Sequence, residues 1–282
     1  MSQPRRAAVL GQPVSHSLSP QLHRAAYHAL DLENWTYERH EVDEAGFAGF
    51  LAGLDESWAG LSVTMPLKQV ALRSVDHVEP LAEVVGSVNT VLFPGGGVRV
   101  GTNTDVYGAV TALQEVAPPD WQPRSGVILG GGATASAALA ALGQLGITDP
   151  VIVVRSPGRA GPVIRASARM GLSPRLLTWG SAAADEALIS AQAVVSTAPK
   201  GAADTLVEVV ERADLEAGQV LLDVVYDGWP TPLGRAWASR GAPVAGGHLM
   251  LLHQGVEQVR LMTGRTAPVE AMRAALHACL EG

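Results

Sequence analysis

A lone cysteine, Cys279, stands in a chain of 282 residues, so no disulfide can close within it. It falls in a helical C-terminal pattern, where a core thiol is expected rather than a nucleophile. Aromatic residues are scarce at 5%, and the six tryptophans are dispersed, which fits core and surface anchors and not a base-stacking platform. Positive charge is in deficit. With 20 Lys and Arg against 27 Asp and Glu, the formal charge of −7 leaves no basic face for nucleic acid. No run reaches the roughly 18 uninterrupted apolar residues of a bilayer-spanning helix, so no membrane partner is expected. Met1 to Arg6 leads into only a few apolar residues before Gly11, and a secretory signal is not expected. His23, His28, His40 and His77 are scattered without metal-ligand spacing, so no metal is expected. His248 and His253 read as packing or solvent residues. At 47% hydrophobic and 17% charged, the chain is too apolar for disorder. The composition describes a soluble, cytoplasmic protein long enough for two lobes or one large domain.

What is present is an alternation of short apolar runs with longer helical patterns, the signature of an α/β fold. Ala7–Leu10, Trp35–Val42 and Gly60–Thr64 read as strands, with helices over Pro20–Leu30 and Phe47–Leu54. Val88–Phe93 and Val98–Thr102 suggest a hairpin around Gly95-Gly96-Gly97, since glycine permits positive φ. A polar, proline-bearing stretch from Ala117 to Ser125 suits a surface connection. Beyond it, Val151–Val154, Ala193–Ser196 and Val220–Val225 are continuous apolar runs of buried-strand length. Met250 to Leu280 is helical in pattern.

The sharpest local signal is Gly126–Leu129, then Gly130-Gly131-Gly132, then a helix over Ala133–Leu145. A strand, a glycine turn and a helix N-terminus form a phosphate cradle. The first glycine makes the turn, Gly132 lets a pyrophosphate approach, and small Ala135 allows close helix–strand packing. An NAD site normally carries a carboxylate at the end of the next strand. Here that strand runs instead into Arg155-Ser156-Pro157-Gly158-Arg159, with guanidiniums suited to a 2′-phosphate. The pattern favours NADP.

Polar clusters punctuate the first half: Ser15-His16-Ser17-Leu18-Ser19-Pro20, Ser62-Val63-Thr64-Met65-Pro66-Leu67-Lys68, Gly86-Ser87-Val88-Asn89-Thr90 and Gly101-Thr102-Asn103-Thr104-Asp105. Ser19 before Pro20 reads as an N-cap with proline at N1. Capping alone does not require Ser17, so the pair also suits an anion. Singly, the other clusters are ordinary turn or surface chemistry.

In order, these clusters resemble the shikimate dehydrogenase family. Arg155-Ser156-x-x-Arg159, Asp223-x-x-Tyr226 with Thr231-Pro232-Leu233, and Gly247-x-x-Met250-Leu251-x-x-Gln254 extend the similarity, which runs from Val9 to Gly264. Departures from the family pattern are Val154 and Ser62 for asparagines, Ala133 for a glycine, Gly228 for a proline, and Ser196-Thr197-Ala198-Pro199 for Asn-Ala-Thr-Pro.

The resemblance implies a two-lobe α/β enzyme. A substrate-binding lobe would comprise residues 1–107, completed by a C-terminal helix returning over 245–282. A Rossmann-like NADP-binding lobe would span 108–244. It implies that Ser17 and Ser19 bind a substrate carboxylate, with Tyr226 nearby, and that Thr64, Asn89, Asp105 and Gln254 hold ring hydroxyls. Lys68 and Asp105 are the implied catalytic pair, with Lys68 exchanging a proton with the C3 oxygen as hydride moves. An ammonium supplies both charge and proton to a developing alkoxide. Gly130, Gly131, Gly132, Ala133, Ala135, Arg155, Ser156, Arg159, Thr197, Ala198, Val224 and Gly247 are the implied NADP(H) positions. The expected partner is a small molecule, and a homodimer is compatible with this reading. Two rival readings stand beside it. One is a quinate/shikimate dehydrogenase or a paralogue using NAD or another hydroxy acid; the other is a non-catalytic NADP-binding sensor.

Overall fold

A first strand buried along most of its length begins a mixed sheet in the computed structural model, which describes residues 3–280. The Arg159 side chain lies outside the described part. In chain order the first elements are β1 (Arg5–Gly11), α1 (Ser19–Ala29), β2 (Trp35–Glu41), α2 (Phe47–Ala52), β3 (Trp58–Val63), α3 (Lys68–Ser74), β4 (His77–Val78), α4 (Pro80–Val85), β5 (Thr90–Gly95) and β6 (Val98–Thr102). They form a sheet of order β2-β1-β3-β5-β6-β4. β1 pairs in parallel with β2 and β3, while β5 runs antiparallel to β3 and β6. The expected hairpin is present, with Gly95, Gly96 and Gly97 at φ of 115°, 63° and 74°.

β1 reads as a continuous apolar run because both its faces are covered. Ala8 and Leu10 join Phe47, Leu61 and Leu67 on one side; Ala7 and Val9 join Tyr27 and Tyr37 on the other. Each fully buried leucine contributes on the order of 1.5–3 kcal/mol relative to exposure.

The chain continues through α5 (Asp105–Val116), β7 (Gly126–Leu129), α6 (Ala133–Gln144), β8 (Val151–Val154), α7 (Gly161–Met170), β9 (Arg175–Thr178), α8 (Ala182–Ser190), β10 (Ala193–Ser196), α9 (Val207–Glu211), β11 (Val220–Asp223), α10 (Pro232–Ser239), β12 (Val244–Gly246), α11 (Gly247–Thr263) and α12 (Val269–Leu280). The second sheet has order β12-β11-β10-β7-β8-β9, all parallel. This is the doubly wound order of dinucleotide-binding sheets, with its switch point between β7 and β10. Its core holds Leu129, Val153, Val194, Leu221 and the fully buried Trp237.

The chain divides into two compact units, one running up to Thr104 and resuming at Gln254, the other spanning Asp105–His253. The first division falls three residues before the expected 107/108, and the second nine residues after the expected 244/245. β12 hydrogen-bonds to β11, and His253 bonds Glu115 at 2.6 Å, so the second unit keeps the start of α11.

Some local expectations change. The single helical segment over Met250 to Leu280 is two helices, α11 and α12, broken at Gly264, whose φ is 69°. Cys279 is exposed rather than in the core. Ser19 is the first residue of α1 rather than its cap, and Leu18 takes the N-cap position. No described helix is long and apolar enough to cross a membrane.

Candidate functional site

In the first unit, β1 ends at Gly11 because the chain there passes hard against the end of β3. A Cβ at Gly11 would strike the Thr64 methyl and lie 2.8 Å from the Met65 carbonyl. The loop that follows carries Ser17 and Ser19. Ser17 Oγ donates to Ser19 Oγ at 3.2 Å and accepts from the Ser19 N–H at 3.3 Å. Ser19 is buried and Ser17 half-buried. Arg39, which the sequence did not single out, clamps this loop: its Nε and Nη2 donate to the Ser17 carbonyl at 3.1 and 2.6 Å. The guanidinium fork thus braces the turn with two donors on one acceptor.

Thr64 lies at the end of β3, its N–H donating to the Leu10 carbonyl at 2.9 Å. Lys68 opens α3, with its side chain half-buried. Its carbonyl accepts from Val88 N at 2.9 Å, so the lysine backbone is tied to the segment that leads through Asn89 into β5. Asn89 is buried to 2% exposure. Its Oδ1 accepts from Thr104 N at 2.7 Å and its Nδ2 donates to Thr104 Oγ1 at 3.0 Å. Asn103, by contrast, is spent on the fold, donating to the carbonyl and hydroxyl of Ser87. Gln254, where the first unit resumes, is buried. The first unit therefore places Thr64 and Asn89 at the paired ends of β3 and β5, with Lys68 at the start of α3, four residues beyond Thr64.

In the second unit, Gly130 follows β7 with φ of 121°, a conformation that L side chains rarely adopt. A Cβ there would collide with Thr197 Oγ1, which donates to the Leu129 carbonyl at 2.9 Å. The two loops on either side of the switch point are therefore in contact. α6 starts at Ala133, and Ala135 is fully buried against the sheet, as expected for a small third position. Gly130, Gly131, Gly132, Arg155, Thr197 and Ala198 line one pocket of about 360 Å³, together with Val153, Val154, Trp179, Pro199 and Ala202. That lining includes no carboxylate. Trp179 was expected only as an anchor; its indole walls this pocket, with Nε1 donating to Thr205 Oγ1 at 3.1 Å. Ser156 is exposed and outside the pocket lining. The role expected of Arg159 falls on a side chain outside the described part.

Val224 and Gly247 meet at the ends of β11 and β12, because a Cβ on Gly247 would run into the Val224 carbonyl. Asp223 just before is buried, accepting from Thr231 Oγ1 at 2.7 Å. Burial pushes its carboxyl above the usual range, and the Thr231 bond only partly offsets this. Burial likewise pushes the Tyr226 phenol up, and the neighbouring Asp227 adds to the shift. Asp105 is the first residue of α5, buried, where its carboxylate complements the helix N-terminus. His253, read as packing or solvent, pairs with Glu115.

A family model described as the shikimate dehydrogenase substrate binding domain matches residues 9–91, and one for the shikimate 5′-dehydrogenase C-terminal domain matches 247–277. The chain is 34% identical, over 95% of its length and 93% of the relative's, to the shikimate dehydrogenase (NADP(+)) of Desulforamulus reducens. It is similar to the crystal structure of Mycobacterium tuberculosis shikimate dehydrogenase, with 40% identity, TM-score 0.88, and 98% and 100% of the two chains covered. It is also similar to shikimate 5-dehydrogenase from Thermus thermophilus in complex with NADP(H) and shikimate. There the identity is 31% and the TM-score 0.80, with 97% and 99% of the chains covered.

Proposed function

The chain belongs to the shikimate dehydrogenase family, and from that premise we propose that it is an NADP-dependent oxidoreductase interconverting 3-dehydroshikimate and shikimate. One observation carries the reading: a full-length relative solved with both shikimate and NADP(H). The polar clusters described above stand in this chain in the family's order.

The residues present fit NADP(H). Gly130, where a Cβ would collide with Thr197 Oγ1, allows the close turn that opens onto the pocket, and the N-terminus of α6 would offer backbone N–H groups to the cofactor's phosphates. Arg155, on the same pocket, suits a 2′-phosphate, and no carboxylate lines that pocket to prefer a ribose hydroxyl. When bound, the cofactor supplies hydride transfer.

Ser17 and Ser19 bind the substrate carboxylate, with Tyr226 nearby, and Thr64, Asn89 and Gln254 hold ring hydroxyls. Lys68 Nζ takes the proton of the hydroxyl that becomes the C3 carbonyl, and returns it in the opposite direction. Asp105 orients the reacting hydroxyl and the lysine. General acid–base transfer of this kind contributes about 10²–10⁴ to the rate. A cytoplasmic location, as suits a biosynthetic enzyme of small molecules, belongs to the same proposal.

The test is the initial rate of absorbance change at 340 nm with shikimate and NADP, with NAD and quinate as comparators. Turnover with shikimate and NADP above either comparator supports the reading. Folded protein that binds NADP without oxidising shikimate contradicts it.

A further inference from the structure

Behind Asn89 lies a chain of fully buried polar groups that none of the assigned roles uses. It runs through His23, Gln258 and Thr90, all within the first unit and none more than 1% exposed. Two backbone groups fix which way every hydrogen bond in it points. Gln258 Nε2 faces the Asn89 carbonyl at 3.4 Å, and a carbonyl can only accept, so the amide nitrogen is on that side. Thr104 N–H can only donate, so the atom facing it at 2.7 Å is Asn89 Oδ1.

The remaining directions follow. Gln258 Oε1 accepts from Ser62 Oγ at 2.7 Å and from His23 Nε2 at 3.3 Å, which fills both its lone pairs. His23 therefore carries its proton on Nε2, and its Nδ1 accepts from the Tyr27 hydroxyl at 3.5 Å. Burial holds this imidazole neutral, pushing it down to about 3. Ser62, having given its proton to Gln258, accepts from the Tyr37 hydroxyl at 2.5 Å. On the other side, Gln258 Nε2 donates to Thr90 Oγ1 at 2.8 Å, and the Thr90 proton goes to the nearer of its two acceptors, Asn89 Oδ1 at 3.0 Å rather than Thr104 Oγ1 at 3.4 Å. Asn89 Oδ1 is then saturated by Thr90 and Thr104.

We propose that Gln258 and Thr90 are positioning residues that, together with Thr104, hold the Asn89 amide in one orientation, its oxygen spent on protein donors and its nitrogen the side that meets a ligand. The site then offers a hydrogen-bond donor at this place and selects a ring oxygen able to accept. A donor-only group, such as an ammonium in place of that oxygen, is rejected. This rests on the reading of Asn89 as a substrate-binding residue.

The experiment compares Thr90→Val, Thr90→Ser and Gln258→Met with the full-length wild-type enzyme, each alone and combined with Asn89→Ala. Loss of one net hydrogen bond holding the amide corresponds to about a five- to tenfold effect. Thr90→Val and Gln258→Met are expected to raise KM for shikimate by that factor, with kcat and KM for NADP within about twofold. Thr90→Ser keeps the hydroxyl and is expected to restore the wild-type KM. In the Asn89→Ala background both effects should vanish, because there is no amide left to orient. Unchanged KM in Thr90→Val, equal damage from Thr90→Ser, or full additivity with Asn89→Ala would overturn the proposal. Two variants probe the same chain, so one that fails to fold leaves the other to decide. A wild-type enzyme that ignores shikimate defeats the proposed function instead, which separates the two failures.

Discussion

The imidazole of His23 lies flat against the phenol of Tyr37, with ring centroids 4.0 Å apart and planes 20° from parallel. Both rings are buried, and both take part in the polar chain that ends at Asn89. A second proton on His23 would be desolvated, and on Nδ1 it would meet only the Tyr27 hydroxyl.

That packing makes a statement about stability and pH. The folded-state value for His23 is depressed to about 3 from 6.5. Between those values the unfolded chain binds the extra proton and the folded chain does not. His23 therefore costs stability as pH falls from 6.5 towards 3, by up to about 1.4 kcal/mol per pH unit, and its effect is absent above that window. Urea midpoints measured at pH 7 and pH 5 for wild type and His23→Gln should show a smaller acid loss in the variant. Equal losses in the two proteins would refute this account of the burial.

Arg155 is expected to discriminate between the two nicotinamide cofactors. Truncation in Arg155→Ala removes a charge-assisted contact to a 2′-phosphate, worth about 1.5–3 kcal/mol, and should raise KM for NADP by at least tenfold. KM for NAD, which lacks that phosphate, should stay within about twofold. Equal weakening of both would mean that Arg155 serves the fold or another phosphate.

Gly130→Ala tests the glycine turn. The positive φ and the collision with Thr197 Oγ1 together force a local shift. Strain of this kind costs about 1–3 kcal/mol, so a lower thermal midpoint and a KM for NADP raised several-fold are expected together. KM for shikimate, whose proposed ligands lie mostly in the other unit, should move much less. An unchanged KM for NADP would show that the turn is not part of the cofactor site.

How much of this was legible beforehand depended on the range of the forces involved. β7, β8 and β10 are continuous apolar runs because both faces of a parallel sheet are covered, and the sequence shows them directly. β9 is an edge strand, largely exposed, whose Arg175-Leu176-Leu177-Thr178 carries no alternation, and it was not read as a strand. The C-terminal helical pattern concealed its break, since Gly264 is a single residue in an otherwise periodic stretch. In the site, Ser17, Thr64, Lys68 and Asn89 were legible as dense polar clusters at strand ends. Gln258 was not, and Thr90 stood out only as a member of the Asn89 cluster, because the bond between the two spans 168 residues of sequence. One signal was available: Gln258 lies one helical turn after Gln254 on α11, so the two side chains share a face. Trp179 was passed over because a single tryptophan after a weak edge strand carries no pattern of its own.

The most direct test of the account follows NADP reduction by shikimate at 340 nm in wild type and Lys68→Ala, with ligand binding measured on both by calorimetry. The wild type should turn over, and the variant should lose at least a hundredfold in kcat while still binding shikimate and NADP within a few-fold of wild type. Turnover by Lys68→Ala at the wild-type rate would contradict the account, because no other side chain was given the proton.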